Sequence, residues 1–134
     1  MLVERELQKI FQELMANDSV QIFLDGYDVS VQVFDDSSKL AITTPVYFGG
    51  NYIPKSVRAG IKKSPPFDRS QTIKTTLNIN EETYRIFLNY LGSTETFNNN
   101  KFSQLLDDFC HLAEEWRIYL DEQDKNDRVY VNAI

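Results

Sequence analysis

Between Val20 and Thr44 apolar and polar side chains alternate in three short runs, separated by Asp25-Gly26 and by the polar stretch Asp35–Lys39. A period of two places alternate side chains on opposite faces of a strand, so the pattern predicts an antiparallel meander with one buried face. That face takes Val20, Ile22 and Leu24 from the first strand and Tyr27, Val29, Val31 and Val33 from the second. Leu40 and Ile42 come from the third. Asp-Gly suits a tight hairpin because glycine tolerates positive φ, and Asp35–Lys39 makes a looser turn. Such a sheet needs helices to cover its apolar side.

Two segments have the required period. In residues 2–16, Val3, Leu7, Ile10, Phe11 and Leu14 recur at steps of three and four and form one stripe. Asn17-Asp18-Ser19 then turns the chain into the sheet. In residues 101–122, Phe102, Leu105, Leu106, Phe109, Cys110, Ala113, Trp116 and Leu120 sustain a stripe over several turns, the strongest helical signal in the chain. Residues 124–134 read as a charged tail ending in VYVNAI.

The middle is less regular. Pro45, Gly49, Gly50, Pro54, Gly60, Pro65 and Pro66 interrupt residues 45–71, which read as a long connection with room for a turn or two of helix over Ser56–Lys63. Thr72–Ile79 alternates and predicts a fourth strand. Asn80 followed by Glu81-Glu82 has the form of a helix N-terminus, so EETYRIFLNYL is expected to be a helix stopping at Gly92. The predicted fold is α+β: an antiparallel sheet of four or five strands flanked by an N-terminal helix and C-terminal helices, in a single domain over 1–134, with 46–71 as an irregular basic connection.

Composition adds mainly charge. The chain has 134 residues with 42% hydrophobic and 25% charged, the balance of an ordinary globule. No apolar run is long enough to span a membrane, and the charged N-terminus does not resemble a signal peptide. One cysteine, Cys110, leaves no internal disulfide, and the expected location is the cytoplasm. The net charge of −6 is unevenly spread: Asn51–Lys74 carries +5 and the remainder −11. The basic stretch holds Lys55, Arg58, Lys62, Lys63 and Arg69 among Tyr47, Phe48, Tyr52 and Phe67, the ingredients of a nucleic-acid groove. No recognised binding motif accompanies them, and the acidic remainder repels phosphate. An acidic protein partner suits the stretch better.

Reactive groups are sparse. His111 lies four residues from both Asp107 and Glu115, a spacing that shares one helical face, but a solvated acidic face carrying a stray histidine explains it better than a metal site, and the second histidine of a zinc-protease motif is missing. Cys110 sits on the apolar stripe, where a thiol is a small hydrophobe. Gly49-Gly50 lacks the lysine and hydroxyl residue of a phosphate loop. The expectation is a non-enzymatic protein with no cofactor and no metal.

The order helix, three-stranded meander, irregular connection, strand, helix, long amphipathic helix resembles the small cytosolic chaperones of bacterial type III secretion and the related Tir chaperone and YbjN-like fold. IFLDGYDVSVQVFDDSSKLAITTPV and FSQLLDDFCHLAEEWRIYL carry the resemblance, which extends over about Val3–Leu120. It implies a homodimer, or a heterodimer with a related chaperone. It also implies a partner, a secreted effector or other secretion-system protein, held as an extended segment on apolar patches of the first helix and sheet. By position those patches are Leu7, Ile10, Phe11, Ile22, Leu24, Val31 and Val33. The chain departs from the family at residues 46–71, where the family has an apolar helix contributing to the dimer. The alternative is a basic-loop module that binds nucleic acid or an acidic protein.

Overall fold

The computed structural model describes residues 4–24, 26–63, 65, 67, 73–95 and 98–132. Helix α1 (Glu4–Asn17) leads into strands β1 (Ser19–Leu24), β2 (Tyr27–Phe34) and β3 (Lys39–Phe48). Helix α2 (Lys55–Lys62), strands β4 (Thr75–Asn80) and β5 (Arg85–Ser93), and helix α3 (Asn99–Asn132) follow. The strands form one antiparallel sheet in the order β1-β2-β3-β5-β4. The architecture is the α+β one predicted.

The alternation predicted for the meander sets its faces. Val20, Ile22, Val29, Val31, Val33, Leu40 and Ile42 are buried beneath α1 and α3. Helix α3 contributes Phe102, Leu106, Phe109, Leu112, Ala113, Trp116 and Leu120 to the same core. At 34 residues it is about 50 Å long, and it continues to Asn132, past the boundary expected at Glu122. Gly26 has φ +87, as a tight hairpin requires. At the end of α1 Asp18 turns left-handed (φ 63) and donates its N–H to the Leu14 carbonyl, closing the last turn.

Two features of the middle correct or refine the expectation. The segment expected as a helix over residues 81–91 is instead a turn followed by β5. Asn80 Oδ1 accepts from the N–H groups of Glu82 and Thr83, as an N-cap would, but Tyr84 then adopts φ 56 and reverses the chain. Ile86 and Leu88 become fully buried on the covered face. The connection, in turn, does hold a helix. In α2, Val57 and Gly60 face α3, and Ser56 Oγ donates to the Gln123 carbonyl at 2.8 Å. A Cβ on Gly60 would meet Tyr119 and Gln123 at 3.3 Å, so glycine permits this close helix approach.

Candidate partner-binding surface

The seven apolar candidates divide by depth. Leu7, Ile22, Val31 and Val33 are closed into the core, at 6%, 7%, 1% and 4% exposure, and their role is packing. The candidate patch is corrected accordingly, because α1 and α3 cover the sheet face that carries the three strand residues. Ile10, Phe11 and Leu24 are only partly buried and pack against the core from its margin. Phe11 lies 5.7 Å from Phe102, ring centre to ring centre, in a tilted arrangement.

Leu24 ends a strand at the sheet edge, and Ile10 and Phe11 belong to α1, which packs against that strand. β1 is the terminal strand of the sheet, so one side of its backbone has no strand beside it among the described residues. Phe23, on that strand, is 70% exposed and Met15, on α1, is 46% exposed. Phe23 was readable in the sequence: with Val20, Ile22 and Leu24 inward, an intervening aromatic must point to the other face. An edge strand with unpaired main-chain groups and apolar side chains beside it is suited to accept an added strand.

The outer face of the sheet is largely polar. Gln21 donates to Ser30 Oγ (2.7 Å), Thr43 Oγ1 to Asn89 Oδ1 (2.6 Å), and Asn89 Nδ2 to Asn78 Oδ1. Ser30 faces Thr43 across the β2–β3 ladder, so this polar row crosses all five strands. Exposed Phe34 and Leu91 interrupt the polar face.

The basic stretch is only partly available. Arg58 forks onto Glu81 through two bonds of 2.9 and 3.0 Å and donates Nε to the Ile53 carbonyl. The hydrogen bond to Arg58 holds the Glu81 carboxyl below its ordinary range, and the same bond raises the Arg58 guanidinium. Lys55, Lys62 and Lys63 are exposed, whereas Arg69 lies outside the described residues. His111 donates Nε2 to Glu115 at 2.9 Å, one turn along α3. Among the described residues, no three histidine, cysteine or carboxylate side chains are grouped to hold a metal. No helix among them is long and apolar enough to cross a membrane.

Neither a protein-family model nor a curated protein matches the chain. Solved structures do. A chain of the ExsC–ExsE complex is similar at 12% identity and a TM-score of 0.61, over 89% of this chain and 96% of that one. A chain of the heterodimeric ExoU–SpcU complex, from the type III secretion system of Pseudomonas aeruginosa, gives 13% identity and 0.59, over 90% and 99%. A chain of the HopA1–SchA chaperone–effector complex gives 12% and 0.55, over 83% and 89%. The chain has a type III secretion chaperone-like fold.

Proposed function

We propose that this protein is a non-enzymatic chaperone or adaptor of a bacterial type III secretion system, acting in the cytoplasm on a secreted effector or another secretion-system protein. The observation that carries the reading is the fold likeness, which spans 89% or more of chains taken from the ExsC–ExsE complex, the ExoU–SpcU complex of a type III secretion system and the HopA1–SchA chaperone–effector complex. The partner is held as an extended segment along β1, its main chain adding to the free edge and its side chains resting on Ile10, Phe11, Phe23 and Leu24. Main-chain bonds give such a complex affinity for any extended chain, and the apolar side chains select where on the partner it forms. No ATP and no covalent step are involved. The working form is a homodimer or a pair with a related chaperone.

The test is export by the source bacterium. Deleting the gene is expected to reduce secretion of one or a few proteins. The wild-type chain should restore their secretion, and a Phe23→Asp variant with an unchanged melting temperature should not. An unaltered secreted profile on deletion, or full restoration by Phe23→Asp, contradicts the proposal.

A further inference from the structure

One flank of α1 overhangs the β1 edge. Helix α1 packs on β1 and β2 while α3 packs on β3, so α3 lies on the β3 side of α1. Leu7 and Leu14 point into the core, and Phe11 turns toward Phe102 of α3. At about 100° per residue the opposite flank carries Ile10, with Glu6 and Glu13 a step further round. Ile10 is half-buried and both glutamates are exposed. The chain reverses at Asp18, so β1 runs back beneath α1. Glu13 therefore stands toward the Val20 end of the edge, Ile10 near its middle and Glu6 toward Leu24.

Both carboxylates are open to a partner. Neither Glu6 nor Glu13 makes an ion pair among the described residues, and Arg5 and Lys9, on the outward side of α1, pair with neither. Met1–Val3 and Asp25, which flank α1 and β1 in sequence and lie outside the described residues, bring no basic side chain. Glu6 and Glu13 are about 10 Å apart along the helix. On one face of a strand, residues four apart are separated by about 13 Å. A strand added to β1 with one residue beside Ile22 therefore brings that residue under Ile10. The residues two before and two after it come within side-chain reach of the glutamates.

We infer that the partner segment added at β1 has a large apolar residue with lysine or arginine two positions before it and two after. This rests on the β1-edge reading and adds what that edge selects. The apolar side chain rests against Ile10 and Leu24. The cations meet Glu6 and Glu13, their methylene stems lying over the apolar margin, and acidic residues at those two places are repelled. In this chain the spacing occurs once, as Arg5, Leu7 and Lys9, where it is folded into α1 with Leu7 in the core. The occupant is therefore a foreign segment and not a second copy.

The probes are two fluorescent synthetic peptides, Thr-Thr-Lys-Thr-Leu-Thr-Lys-Thr-Thr and the same sequence with glutamate for both lysines. Binding to the full chain is read by anisotropy, and its place by amide exchange over Ser19–Leu24. The lysine peptide is expected to slow β1 exchange and to bind about tenfold more tightly than the glutamate peptide, an advantage that shrinks as ionic strength rises. Glu6→Gln with Glu13→Gln should weaken the lysine peptide about fivefold at an unchanged melting temperature. Glu82→Gln with Glu122→Gln, the same charge change elsewhere, should leave it unaltered. If both peptides protect β1 and bind equally, or both double substitutions weaken the lysine peptide alike, the inference is overturned and the β1-edge reading stands. If neither peptide protects β1, the reading fails and takes the inference with it. Protection of β1 that rises with protein concentration in the absence of peptide puts a second copy at the edge and overturns the inference.

Discussion

Arg117 stands where helix and sheet make their most demanding polar contact. Its side chain is 12% exposed, and its guanidinium lies 3.6 Å from the centre of the Tyr27 ring. Nε and Nη2 donate to the Pro45 carbonyl at 3.1 and 2.9 Å, and Nη2 also donates to Thr44 Oγ1 at 3.0 Å. The β3–β5 register shifts between Pro45 and Tyr47, and Arg117 meets the Pro45 carbonyl at that irregularity. Burial pushes the guanidinium below its ordinary value while Tyr27 and Glu114 push it back up, and an arginine stays charged throughout. Arg117→Met is expected to cost about 2–3 kcal/mol in urea unfolding, because it leaves a buried carbonyl unpaired. Arg117→Lys should recover little, lacking the planar fork. An unchanged unfolding midpoint in both would contradict this role. The sequence showed Trp116 and Phe109 as core through local periodicity. It did not show the role of Arg117, whose partners on the sheet, Thr44 and Pro45, lie more than 70 residues away.

The elements show the same division between local and distant causes. The meander, α1 and the inner stripe of α3 were legible because burial of one face imposes a period on the residues themselves. β5 was not. Tyr84, Phe87, Leu88 and Leu91 satisfy a helical spacing, and Ile86, Leu88 and Tyr90 equally satisfy a strand. Pairing with β3 on one side and β4 on the other decides between them, helped by the β-branched and aromatic content of the run. The turn before it is clamped to the end of β3: Gly49 donates its N–H to the Tyr84 carbonyl at 2.7 Å. A Cβ at Gly49 would press on the Tyr52 carbonyl and come within 2.9 Å of that of Tyr84. Gly49→Ala is therefore expected to destabilise the fold by about 2 kcal/mol or more. Gly50→Ala, in open space but at φ 79, should lose only about 1 kcal/mol. Thermal unfolding of the two variants checks the order, and a Gly49→Ala chain as stable as wild type would contradict the clamp.

At the scale of the whole molecule, two helices cover one side of the sheet and, among the described residues, leave the polar face and the β1 edge open. The sequence pointed to α1 and the sheet as the partner surface but could not rank depth within a stripe. Exposure depends on which helix lies over which strand. Leu7, Ile22, Val31 and Val33 consequently prove to be core, while Ile10, Phe11 and Leu24 remain at the margin and Phe23 joins them. If the proposed function is right, the β1 backbone is where a partner chain adds. The most direct measurement is amide hydrogen exchange across Ser19–Leu24, on the free chain and on its complex with an exported protein co-purified from the source bacterium. Slowed exchange of the outward-facing β1 amides in the complex is the predicted result. β1 amides that exchange alike in both states, with protection appearing elsewhere, would contradict the account.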